Sequence, residues 1–135
     1  MKQLFISIIV LFVAGIATAQ PKQNAKPKLE IYYFHATHRC STCISIEDNT
    51  KKVLDEFFKK EIDASTIKMY SYDCEDANNK DLVKKYSAYG SSLILQSNTG
   101  KLSMEDITNF AFQYSKNNPE KFTKGLIEKI EKFLK

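Results

Sequence analysis

The feature that most constrains this chain is a change of hydrophobic period that falls on a cysteine pair. Leu29 to His35 is a continuous run of β-branched, aromatic and other apolar residues (Ile31, Tyr32, Tyr33, Phe34). It reads as a strand buried on both faces. From Ser41 the period becomes helical: Ile46, Val53, Leu54, Phe57 and Phe58 fall on one side, with Glu47, Asp48, Lys51, Lys52, Asp55 and Glu56 on the others, predicting a helix to about Lys60. Cys40-Ser41-Thr42-Cys43 sits at the junction. A thiol at a helix start is exposed to unpaired backbone N–H groups, whose partial positive charge favours the thiolate.

The rest of the pattern builds an α/β chain. Ile67 to Tyr72 predicts a second strand, Asp73 to Asn79 a polar turn, Lys80 to Tyr86 a short helix and Leu93 to Leu95 a third strand. Asn98-Thr99-Gly100 is turn chemistry, leading into a short edge strand at Lys101-Leu102. Two amphipathic helices follow. Ser103 with Asp106 has the spacing of a capping box ahead of Ile107, Phe110, Ala111 and Tyr114. Asn118 caps the last helix, with Pro119 at its first position and Phe122, Leu126, Ile130, Phe133 and Leu134 as the buried stripe. Alternation of strands with helical crossovers predicts a mostly parallel central sheet with helices on both faces, a three-layer α/β fold. A helix between the second and third strands argues against a ferredoxin-like metal carrier, which needs two consecutive strands there.

The start of the chain has the marks of an export signal. Lys2 precedes an apolar run from Leu4 to Ile16, and Ala17-Thr18-Ala19 is a small-x-small cleavage site. At 13 residues the run is shorter than the roughly 18 to 20 that a spanning helix needs. Residues 1–19 are therefore expected to be a signal peptide and 20–28 a flexible leader. Residues 29–135 form one domain, periplasmic or otherwise exported, monomeric and without a membrane span after cleavage. The net charge of +4 is spread over lysines interleaved with Glu and Asp, a solvated surface and not a nucleic-acid stripe.

Three cysteines bound for an oxidising compartment are too few for a disulfide scaffold, and a CxxC pair between strand and helix reads as a redox-active dithiol. Cys40 is the expected attacking thiol and Cys43 the resolving one, with no cofactor beyond their disulfide. Arg39 and His38 flank the nucleophile and would lower its pKa. Glu47, one turn past Cys43, could take the resolving thiol's proton through water. A static structural disulfide is the bland alternative, although so small a loop constrains the unfolded chain little. The other alternative is a soft-metal or arsenic(III) module. His35, His38, Cys40 and Cys43 read H-x2-H-x-C-x2-C, with Cys74 a possible added ligand. Otherwise His35 is a polar cap on the strand and Cys74 an inert thiol.

Three segments carry a resemblance: Tyr33-Phe34-His35-Ala36-Thr37-His38-Arg39-Cys40-Ser41-Thr42-Cys43, Tyr89-Gly90-Ser91-Ser92-Leu93 and Asn118-Pro119-Glu120-Lys121-Phe122. Together they resemble the bacterial thioredoxin-like family labelled nitrophenyl compound nitroreductase subunit ArsF. The resemblance implies a thioredoxin-like fold and a periplasmic redox protein linked to arsenical or nitroaromatic resistance. Its partner would be a membrane thiol-relay or permease protein, or a dedicated periplasmic redox protein. Against thioredoxins at large, Ser92 stands where a cis-proline precedes the third strand, so Ser91 and Ser92 become the substrate-docking loop. The buried acid that thioredoxins place near the resolving thiol falls near Tyr33. These departures imply a dedicated relay more than a general disulfide reductase.

Overall fold

A computed structural model of the protein describes residues 26–100 and 103–135. The expected signal peptide, residues 20–25 of the leader and the edge strand expected at Lys101-Leu102 lie outside the described residues. The end of the expected flexible leader is anchored, not free. Pro27 is buried, its carbonyl accepts a hydrogen bond from Asn98 Nδ2 at 2.9 Å, and the Lys28 carbonyl accepts one from the Asn98 backbone at 2.9 Å.

The first strand, β1 (Leu29–His35), is the centre of the molecule. Its pleat sends Leu29, Ile31 and Tyr33 to one face and Tyr32 and Phe34 to the other, and all five are buried. Helix α1 (Ser41–Phe57) then carries the chain back along the sheet. The helix ends earlier than the apolar pattern suggests. At Phe58 the backbone leaves helical geometry (φ −126°, ψ 24°) before a short α2 (Lys59–Asp63). That bend buries Phe58 and turns out Phe57, which is 53% exposed and not part of the core face expected of it. Strand β2 (Ile67–Asp73) lies parallel to β1, from Leu29 beside Ile67 to His35 beside Asp73.

A 3-10 turn at Ala77–Asn79 leads into α3 (Lys80–Tyr86), then β3 (Ser92–Ser97). Here the expected sheet is corrected. The four strands stand in the order β2-β1-β3-β4, with β4 at Met104–Asp106, and both β1–β3 and β3–β4 are antiparallel pairs. The sheet is therefore mixed, with only one parallel pair, and not mostly parallel. The reason is reach. At about 1.5 Å per residue the seven residues of α3 climb roughly 10 Å, less than half the roughly 23 Å of a seven-residue strand. The 17 residues of α1 climb roughly 25 Å and do return the chain to the starting end. With α3 too short, β3 begins where β1 and β2 finish, Ser92 beside Phe34.

Helix α4 (Thr108–Tyr114) starts without the expected capping box. Asp106, in β4, accepts the Thr108 N–H through Oδ1 at 2.9 Å, and Ser103 takes no part. Helix α5 (Pro119–Leu134) begins as the sequence predicts, with Asn118 Oδ1 accepting the Lys121 N–H at 3.1 Å. Phe122, Leu126 and Ile130 are wholly buried, each contributing about 1.5–3 kcal/mol of burial. Helices α1, α4 and α5 close one core with Leu29, Ile31, Tyr33, Leu93 and Leu95, while α3 covers Tyr32, Phe34 and Ile94 on the opposite face. The result is an α/β layout with helices on both faces.

Candidate functional site

Cys40 and Cys43 form a disulfide across the N-terminus of α1, with Cα atoms 5.1 Å apart. Cys40 is the N-cap residue, in extended backbone geometry, and its Sγ accepts the Cys43 N–H at 3.1 Å. A sulfur in that place faces the unpaired amides of the first helical turn, the environment that favours a thiolate once the bond is reduced. Cys40 is exposed and Cys43 is 8% exposed, so an incoming sulfur meets Cys40 first. The asymmetry follows from the local fold: α1 presents Cys43 to the core one turn above Ile46 and Glu47.

Beneath the disulfide lies a polar layer. The Tyr33 hydroxyl donates to the Cys43 carbonyl at 2.7 Å, fixing the first helical turn to the central strand. Burial raises the Tyr33 phenol above its ordinary pKa, although Arg39 pulls the other way, so it stays a donor at neutral pH. Arg39 lies 5.5 Å over the Tyr33 ring, and its Nη2 approaches Glu47 Oε2 at 2.5 Å. That contact is an ion pair without a straight hydrogen bond, and Arg39 Nε is buried without a partner among the described residues. Lys51 meets the other oxygen of Glu47 at 2.7 Å. Burial alone would raise the Glu47 carboxyl, but Lys51, Arg39 and Ser71 outweigh it and hold the group below its ordinary value. Glu47 is thus an ionised, buried carboxylate tied to two cations, a weaker base than a free one.

The residues singled out in the sequence are distributed as follows. Ser91 Oγ lies 3.4 Å from Cys43 Sγ, bringing the loop before β3 against the buried sulfur. Ser92, of the expected docking loop, is the first residue of β3, and its hydroxyl donates to the Gly90 carbonyl at 3.1 Å. His38 is exposed in the loop. His35 ends β1 with Nδ1 3.0 Å from the Ala36 carbonyl. Cys74 is a free, half-buried thiol packed against the second core, and burial pushes its pKa up. Among the described residues no three His, Cys, Asp or Glu side chains gather where they could hold a metal ion; Cys40 and Cys43 are joined to each other, and neither His35 nor His38 completes such a group with them.

Two participants were not recognised from the sequence. Tyr33 stands where the resemblance puts the buried acid near the resolving thiol, but nothing in its strand pattern announces that its hydroxyl meets the Cys43 carbonyl. Lys116, between α4 and α5, donates from Nζ to Ser41 Oγ at 2.7 Å, beside Cys40. Seventy-five positions separate the two residues, and no local spacing signals the contact.

No protein-family model matches the chain. No curated protein matches it either. Solved chains that match include one described as the structure of a malarial protein, 21% identical, with a TM-score of 0.42 over 64% of this chain and 93% of that one.

Proposed function

We propose that this protein is an exported thiol–disulfide oxidoreductase of thioredoxin-like fold that relays electrons through Cys40 and Cys43 to a dedicated partner. The observation that carries the reading is the asymmetric pair itself. One sulfur is exposed at the cap of α1, and the other is buried one turn along and bonded to it. A βαβ unit bearing that pair, followed by an antiparallel β3–β4 edge and a closing helix, supports the thioredoxin-like reading, while kinship with the ArsF-labelled family rests on the sequence segments that resemble it. The signal-like start of the sequence supports an oxidising compartment, periplasmic in a bacterium.

The exchange runs in two steps. The Cys40 thiolate attacks one sulfur of a partner's disulfide, forming a mixed disulfide and releasing the partner's other sulfur as a thiolate. Cys43, deprotonated, then attacks Cys40 Sγ, re-forming the Cys40–Cys43 bond and releasing the second partner thiolate. Two electrons pass to the partner, and the released thiolates take up the two protons given up by the cysteines. Run backwards, the same steps oxidise a partner dithiol. Ser91, 3.4 Å from Cys43 Sγ, lies beside the path of the second step.

Replacing Cys43 by Ser stops the exchange after its first step. The Cys43→Ser protein, expressed with its export signal, is expected to accumulate a mixed disulfide through Cys40 that reductant releases. A wild-type protein that neither reduces insulin nor exchanges with glutathione, together with an empty trap, would refute the relay.

A further inference from the structure

The groups able to set the charge at Cys40 come from every element around it. In the preceding loop, Arg39 is turned inward onto Glu47 and Tyr33, and exposed His38 lies in the field of Glu75. The Glu75 and Asp73 carboxylates at the end of β2 are engaged by Thr37. The first turn of α1 holds no acidic residue; Glu47, further along, is ion-paired, and Asp48 is exposed two turns from the cap. The loop from Ser87 to Ser91 carries no charge. What remains is Lys116, whose ammonium meets Ser41, the first residue of α1, and has no carboxylate within ion-pair distance among the described residues.

The placement of Lys116 is built into the fold. Its neighbour Ser115 is wholly buried, a rare state for serine, and is clamped onto α1. Asn49 Nδ2 donates to the Ser115 carbonyl at 2.7 Å, and the Ser45 and Ser115 hydroxyls meet at 3.3 Å. The Ser115 N–H donates to Ala111 at 2.9 Å, so the junction after α4 is held from both sides. Lys116 leaves this anchored point toward the N-terminus of α1.

We propose that Lys116 is a charge-tuning residue for the redox pair: its ammonium, delivered across the α1–α4 contact to Ser41, stabilises the Cys40 thiolate of the reduced protein. This rests on the relay function above and adds to it the group that sets the reactivity of the attacking sulfur. The site is exposed, so the effect is that of a solvated charge pair, about 1.5- to 5-fold in the thiolate equilibrium.

The test is titration of the Cys40 thiolate by its ultraviolet absorbance in reduced full-length Cys74→Ser protein, with Lys116 intact, Lys116→Met or Lys116→Arg. Lys116→Met is expected to raise the midpoint by about 0.2–0.7 of a pH unit at low salt. Lys116→Arg should restore it, and 1 M salt should erase the difference. The same loss should appear as a 1.5- to 5-fold smaller reduced fraction against glutathione above the midpoint, since a less stable thiolate favours the disulfide. A Lys116→Met midpoint equal to that of the intact protein, or a shift that salt leaves unchanged, overturns the proposal. If the intact protein exchanges with glutathione and Lys116→Met does not shift, the tuning role alone falls. If the intact protein shows neither exchange nor a midpoint below that of a free cysteine, the relay falls and the tuning role with it.

Discussion

Replacing Glu47 by Gln removes the carboxylate that holds Arg39 beneath the disulfide. The Glu47 side chain is 8% exposed, that of Arg39 25% and that of Lys51 55%. Breaking a fully buried pair costs about 3–5 kcal/mol, because a charge is left without its partner. An exposed pair is worth about 0.2–1 kcal/mol. Arg39 lies between these limits and Lys51 near the lower one, and Gln keeps the volume and one acceptor. The expected loss is therefore about 1–3 kcal/mol at pH 7, or roughly 4–12 °C in the thermal midpoint of a domain near this size. Glu47 is held below its ordinary pKa of 4.5, so its ionised form stabilises the fold fully above that value. The contribution is lost as pH falls below 4.5 and through the lower, folded-state value. Thermal unfolding followed by circular dichroism, with the disulfide intact, should show a constant gap between the two proteins from pH 7 to about 4.5, closing toward pH 2.5. Equal midpoints at pH 7, or a gap that persists unchanged at pH 2.5, would show that the ion pair does not hold the site together.

Two further outcomes follow from packing and burial. Gly125, in α5, faces the Phe110 ring: a Cβ there would lie 2.6 Å from Cζ and 2.7 Å from Cε2, and the ring is held by stacking on Phe122 at 5.6 Å. Gly125→Ala should lower stability by about 0.5–2 kcal/mol in denaturant unfolding, overpacking exceeding the roughly 1 kcal/mol gain in helix propensity. It should become neutral or stabilising once Phe110 is shortened to Leu; a stabilising Gly125→Ala in the intact protein refutes the clash. In the reduced protein at pH 7.5, iodoacetamide should label Cys74 about ten-fold or more slowly than Cys40, because burial raises its pKa while Cys40 faces helical amides. Peptide mapping that finds Cys74 labelled as fast as Cys40 contradicts that ranking.

Most of the fold is legible in the residues, because periodicity is a local property. The bounds of β1, the start of α1 at Ser41, the span of α3 and the Asn118–Pro119 start of α5 all follow from short-range pattern and capping chemistry. Element order alone does not give strand direction, since β3 runs antiparallel to β1. The length of α3 was itself readable, and seven residues cannot carry a chain back along a seven-residue strand, so the antiparallel β3 was within reach of a length argument. The break at Phe58 was not. Phe57 and Phe58 are alternative core residues one position apart, and the choice between them depends on where β2 must begin. The leader's end is a similar case, since Pro27 is fixed by Asn98, a residue of the distant β3–β4 turn.

The site divides in the same way, and the division has a chemical consequence. The cysteine pair and its place at the helix cap follow from sequence. The partners of the charged residues do not, because each pairing joins elements that only the fold brings together. Arg39 precedes Cys40, and from the sequence alone it is the cation expected to activate that thiol; the structure pairs it with Glu47, across a turn and a half of α1, with Tyr33 beneath. Its charge is therefore engaged in holding the loop to the helix. Lys116 reaches the cap only because Ser115 is buried against Ser45 and Asn49. In this arrangement one cation secures the scaffold and another addresses the sulfur, from different faces of α1 and with no shared partner. The stability of the site and the reactivity of Cys40 then rest on separate groups, and sites without common partners contribute nearly independently. If the protein is the relay proposed above, an attacking sulfur tuned by an exposed lysine has a reactivity that salt and an approaching acidic surface can change without loosening the fold, which suits recognition of one partner better than reduction of many.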